Sequence, residues 1–102
     1  MQILVLDHPR AGVTFEDYLP HLLNETKHAW EGIKSEKIRQ IYFRKDRPGI
    51  VIIMEANSVE EAQEECKTFP LAQAGLLDFE CIPFGNYTMW ENLFSNEHKL
   101  TK

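Results

Sequence analysis

The chain switches repeatedly between two hydrophobic periods, one of two residues and one near 3.6. Gln2 to Asp7 (QILVLD) is a β-branched and leucine run closed by His8-Pro9-Arg10-Ala11-Gly12, which predicts a strand followed by a turn. Thr14 is placed to cap a helix, and Pro20 predicts either a kink or a helical turn restarting with proline at its first position. From there to about Gly32, the residues Leu19, Leu22, Leu23, Thr26, Trp30 and Ile33 fall on one side of a helical wheel. Lys37 to Arg44 and Ile50 to Glu55 read as strands joined by the turn-forming Lys45-Asp46-Arg47-Pro48-Gly49, hence a hairpin. Ser58-Val59-Glu60-Glu61 is a capping box that opens a second helix to about Thr68, stopped by Pro70. Residues 71–77 connect to a last strand, Asp78 to Phe84, ended by Gly85.

The element order β-α-β-β-α-β predicts an α+β, ferredoxin-like domain over residues 1–86. Right-handed crossovers place both helices on one face of a four-stranded antiparallel sheet. A tail over 87–102 follows, in which Tyr87, Trp90, Leu93 and Phe94 keep helical spacing.

A sheet with one wet face should alternate apolar and polar side chains, and two strands here do not. Ile50, Ile52 and Met54 point one way while Val51 and Ile53 point the other; Ile3 and Val5 similarly oppose Leu4 and Leu6. Both faces of the sheet are therefore expected to be covered. A domain of this size has little left to cover the second face, so the pattern predicts an obligate homodimer packed sheet to sheet. The aromatic tail would pack on that dimer, and a cavity would lie between the sheets.

Composition narrows the function. With 102 residues the chain fits one domain, and a formal charge of −5 without a basic run argues against nucleic acid or an anionic membrane as partner. No apolar stretch is long enough to span a bilayer and no leader peptide is evident, so a cytoplasmic location is expected. Cys66 sits at helical core spacing with Val59, Ala62 and Phe69, and Cys81 lies in a strand, which predicts two buried reduced thiols.

The element order resembles the dimeric α+β barrel superfamily. The stretch EANSVEEAQEECKTFPLAQAGLLDFECIPFG, residues 55–85, resembles the muconolactone isomerase-like branch of it. The shared features are a capped helix running into Phe69-Pro70-Leu71 and an acidic-aromatic-acidic final strand, Asp78-Phe79-Glu80. Arg39 and Tyr42 match the arginine and aromatic residue that branch carries on its second strand. The chain departs from the isomerase itself in the longer connection after Pro70 and in the tail after Gly85. The resemblance implies a dimeric α+β barrel and a cofactor-independent small-molecule isomerase working by acid/base chemistry. A non-catalytic small-ligand-binding module and a cofactor-free monooxygenase stay open beside it, since this fold hosts all three.

If Phe79 and Cys81 face the helices, then Asp78, Glu80 and Ile82 face the cavity between the sheets. Glu80 there is the candidate base for removing a proton next to a carbonyl, with an ion pair to Arg39 or Arg44 as the plainer reading. His8, beside Asp7 at a strand end, is a second acid/base candidate, or simply the entrance to a turn. If Arg39, Ile41 and Phe43 pack under the helices, Tyr42 and Arg44 share the cavity face of strand two, where Arg44 would orient a substrate carboxylate and Tyr42 would stabilise an enolate oxygen of a small apolar or carbonyl-containing ligand. A register slip of one residue would put Arg39 there instead. His21, Glu25 and His28 form H-x3-E-x2-H, but at about 100° per residue the stripe lies roughly 140° from the apolar face, so it should meet solvent and hold no metal. No phosphate loop, nucleophile elbow or zinc motif is present, and no cofactor is expected.

Overall fold

A computed structural model describes residues 1–94. The last part of the predicted tail, including His98, lies outside the described residues. The elements are β1 (Gln2–Pro9), α1 (Phe15–Tyr18), a 3-10 turn (Leu19–His21), α2 (Leu22–Lys34), β2 (Ile38–Phe43), β3 (Ile50–Glu55), α3 (Val59–Cys66), α4 (Pro70–Gln73) and β4 (Leu77–Phe84), followed by a 3-10 segment (Thr88–Phe94). The four strands form one antiparallel sheet in the order β2-β3-β1-β4. This is the ferredoxin-like α+β arrangement that the alternating periods predict.

Period two decides what each strand buries. Ile3 and Val5 of β1, Ile52 and Met54 of β3 and Ile38 of β2 meet Ala62, Cys66 and Phe69 in a core between sheet and helices. Leu77, Phe79 and Cys81 of β4 pack on the same side. Asp78, Glu80 and Ile82 alternate to the helix-free face. There Leu4 stands opposite both Ile53 and Ile82, and Leu6 opposite both Val51 and Glu80, so the half-buried apolar side chains adjoin across three strands. Cys66 and Cys81 are free thiols with their sulfurs 3.7 Å apart. Burial pushes the Cys66 thiol well above its ordinary value.

Several local details differ from the sequence reading. β1 runs on through Pro9, so His8 is a strand residue opposite Asp78 rather than part of a turn. Pro20 does restart the helix, in the 3-10 turn before α2. Ser58 accepts from the Glu61 amide as the capping box requires, but the Glu61 carboxylate reaches back to the Asn57 amide. β2 carries a bulge at Arg39, so Ile38 and Ile41, three apart, both point to the helices.

The largest correction concerns α2. Its buried side carries Glu25, with His28, Ala29, Gly32 and Ile33 half-buried, while Leu23 is 68% and Trp30 59% exposed. The helix is thus turned by roughly 90° from the apolar stripe, at 100° per residue. The cause is Gly32. A β-carbon there would come 2.5 Å from Cδ1 and 2.8 Å from Cγ1 of Ile38, so the helix approaches the sheet along the side where no side chain intervenes. Leu19 sits in the 3-10 turn and does not share the phase of α2.

Replacing Gly32 tests this contact. Gly32→Ala should gain about 1 kcal/mol in helix propensity, yet overpacking against the stiff, buried Ile38 should cost about 1–3 kcal/mol and outweigh it. Urea unfolding should therefore show a net loss. An unchanged or higher midpoint would mean that α2 is not held by this close approach.

Candidate active site

A cavity of about 500 Å³ opens between α1, α2 and the sheet. Its walls include Phe15, Leu22, Trp30, Ile33, Phe43 and Phe69, and its polar side chains are Asp7, Tyr18, Glu25, Thr26 and Tyr42. The cavity lies on the helical side of the sheet, away from the face carrying Glu80.

Asp7 forms part of the floor because it continues the register of Ile3 and Val5. It is only 1% exposed. A buried carboxylate needs compensation, and Arg47 from the β2–β3 turn supplies it. Arg47 Nη1 donates to Oδ2 at 3.1 Å and Nη2 donates to the Asp7 carbonyl at 2.6 Å, while the Ile50 amide donates to Oδ1 at 3.3 Å. Arg44 Nη1 lies 3.9 Å from the same carboxylate. Gly49 makes this packing feasible, since a β-carbon there would fall 2.6 Å from Asp7 Oδ2 and 2.7 Å from Arg47 Nη1.

Glu25 enters from α2. It is 8% exposed, and its Oε1 accepts from the Leu71 amide at 3.0 Å, in the first turn of α4. Its other oxygen, Oε2, is buried without a hydrogen-bond partner among the described residues, and so is the hydroxyl of Tyr18, itself 7% exposed. Burial raises the Glu25 pKa above the ordinary 4.5, against the pull of the Leu71 N–H. Tyr18 is raised too, chiefly by burial and then by the charge of Asp7, with Arg47 acting in the opposite sense. Two unpartnered buried polar atoms, on residues that line one cavity, are costly to the folded chain.

Most residues singled out from sequence lie elsewhere, while Tyr42 borders the cavity and Arg44 approaches its Asp7. His8 Nε2 and Glu80 Oε1 meet at 2.8 Å across β1 and β4 on the helix-free face, both about half exposed. Arg10 and Asp78 form a second pair beside them at 3.0 Å. Arg39, at the bulge, lies 3.8 Å from Glu55. Arg44 is bound to Asp46 at 2.7 Å and holds that carboxylate down at about 2. Tyr42 borders the cavity from the edge strand. His28, expected in solvent, packs edge-on against Phe69 with ring centroids 4.6 Å apart and bonds Thr68 at 2.9 Å. Among the described residues no group of three or more His, Cys, Asp or Glu is arranged to hold a metal.

Tyr18 and Arg47 were not singled out by the sequence reading; Asp7 entered it only as the neighbour of His8, and Glu25 only in the stripe expected to meet solvent, an expectation its 8% exposure overturns. The alternation of β1 alone would have placed Asp7 on the core side. Glu25 carried no such signal, because its inward position depends on the rotation of α2.

The pKa direction of Glu25 has a stability consequence. The folded chain holds that proton more tightly than the unfolded chain, so the group's stability contribution is fully present below pH 4.5, declines as pH rises through the folded value, and stays low above it. Glu25→Gln removes the loss. The melting temperature of the variant relative to wild type should rise between pH 4 and pH 8, whereas an equal difference at both would show that the carboxylate is not desolvated.

No family model matches the chain, and no curated protein sequence matches it. Solved structures do. One is 5-chloro-2-hydroxyhydroquinone dehydrochlorinase (TftG) from Burkholderia phenoliruptrix AC1100, in complex with 2,5-dihydroxybenzoquinone. It superposes with a TM-score of 0.69 at 21% identity over 86% of this chain and 97% of that one. Another is muconolactone isomerase, with a TM-score of 0.66 at 14% identity over 85% of this chain and 91% of that one. Together with the sheet order, these likenesses show that the chain has a ferredoxin-like α+β fold, like that of muconolactone isomerase.

Proposed function

We propose that the chain is a small-molecule acid/base catalyst of the isomerase type, working in the cavity between α2 and the sheet. The observation that carries this reading is a carboxylate and a phenol, Glu25 and Tyr18, each with an unpartnered buried oxygen and both on residues that line one largely apolar cavity. In the proposed step Glu25 takes a proton from a carbon next to a carbonyl. The electron pair moves onto the carbonyl oxygen, which accepts a hydrogen bond from the Tyr18 hydroxyl, and Glu25 returns the proton at the conjugated carbon. Neither step calls for a cofactor. That both structural neighbours are small-molecule enzymes is consistent with this reading.

Proton exchange is the direct test. Unsaturated lactones and cyclic ketones incubated with the protein in deuterated buffer should lose their α-proton signal by NMR. Glu25→Gln should slow this by about 100-fold or more, and Tyr18→Phe by about 10- to 100-fold. Full exchange in Glu25→Gln would sink the assignment, and ligand binding without exchange would favour the non-catalytic module. A second reading keeps the chemistry on the helix-free face, favoured by the 2.8 Å contact of His8 with Glu80, with Tyr42 and Arg39 as ligand contacts, since Arg44 lies instead 3.9 Å from Asp7. Loss of exchange in Glu80→Gln but not in Glu25→Gln would select it.

That second site needs a covering layer, and we propose a homodimer. The apolar side chains Leu4, Leu6, Val51, Ile53 and Ile82 adjoin on the helix-free face, and Tyr87, Trp90, Leu93 and Phe94 of the tail are exposed. Light scattering should give twice the 11.9 kDa chain mass, reduced to one chain by Ile53→Lys. A wild-type monomer at all concentrations would end the dimer reading.

A further inference from the structure

The polar groups of the cavity carry a charge pattern that restricts what it can accept. Two carboxylates, Asp7 and Glu25, line it, and among the described residues no lysine, arginine or histidine does. The nearest guanidinium, that of Arg47, stands behind the Asp7 carboxylate and is bonded to its Oδ2 and its carbonyl. Arg44 is turned to Asp46. A ligand carboxylate entering here would meet two carboxylates in a poorly hydrated recess, with every nearby cation already committed. An O–H group meets the opposite situation. It carries no charge to be repelled by Asp7 and Glu25, and as a hydrogen-bond donor it suits carboxylate oxygens. The rings of Phe15, Tyr18, Trp30, Phe43 and Phe69 supply flat apolar walls suited to an aromatic guest.

We propose that Asp7, by holding the Arg47 guanidinium and lining the cavity with a carboxylate, makes the site selective for uncharged ligands, carbonyl compounds and aromatic alcohols alike, over carboxylates of the same size. Asp7 is then the specificity-determining residue. This inference rests on the cavity being the functional site, as proposed above.

The test is calorimetric titration of the full chain at pH 7.5 with two probes that differ by one charge, 4-hydroxybenzyl alcohol and 4-hydroxybenzoate. The alcohol should bind at least tenfold more tightly. Asp7→Asn keeps the side-chain shape and the acceptor for the Ile50 amide but leaves the Arg47 charge uncompensated. It should raise affinity for 4-hydroxybenzoate by tenfold or more, while the alcohol changes by less than threefold. Equal or tighter binding of the carboxylate to wild type would overturn the charge selection while leaving the cavity as a ligand site. Unchanged selectivity in a folded Asp7→Asn would overturn the role of Asp7. Binding of neither probe to wild type would overturn both this inference and the cavity reading beneath it. Should Asp7→Asn fail to fold, the wild-type comparison decides the selectivity by itself.

Discussion

The molecule is organised around one electrostatic obligation. A strand that buries Ile3 and Val5 must send Asp7 the same way, beneath the helical layer, because side chains two apart share a face. An ionised carboxylate in that position is tolerable only with a cation and hydrogen-bond donors at hand. The β2–β3 turn is shaped around this need: Arg47 reaches back over the end of β1, Ile50 offers its amide, and Gly49 leaves the room. A hairpin loop is thereby tied to the central strand. The cavity takes one end of its floor from that tie, and the turn that would otherwise be a surface feature becomes part of the site's foundation.

The architecture was legible in the sequence because it rests on periodicity. Strands with period two, a capping box at Ser58 and Pro20 at the start of a helical turn locate the four strands and the two longer helices, whereas α4 begins at Pro70, where the sequence predicts only a stop and a connection. The alternation of β4 was readable for the same reason, and it correctly separates Phe79 and Cys81 from Asp78 and Glu80. The site was less legible. Its buried groups are polar residues at positions where polarity normally signals solvent. Glu25 faces inward because α2 packs along Gly32 and Ala29 rather than along its apolar stripe, a choice made by the shape of the partner surface at Ile38. Tyr18 sits in the one-turn helix before the proline break, where no period extends far enough to set a phase. The bulge at Arg39 similarly shifts the register of β2 without any glycine to announce it.

The two faces of the sheet do different work. The helical face closes over Ile3, Ile52 and Met54 but leaves space toward the end of β1, and that space holds the groups with unmet hydrogen-bonding capacity. On the opposite face, apolar residues run across β3, β1 and β4, bordered by the His8–Glu80 and Arg10–Asp78 pairs. The ion pairs on that border are solvent-exposed, so each contributes little to the stability of the chain. Their more useful effect is to fix the orientation of charge around an apolar patch.

The bulge in β2 has a consequence for how chains can meet. An edge strand offers a row of backbone groups onto which another strand can add, and unchecked addition of that kind leads to filaments. In β2 the row is interrupted at Arg39, where an extra residue breaks the repeat. The other edge, β4, contains Pro83, which has no N–H to offer. Both rims of the sheet are thus poor templates for a continuous ladder. The half-buried apolar side chains of the helix-free face do not depend on such a ladder, so the dimer proposed above would meet face to face rather than edge to edge.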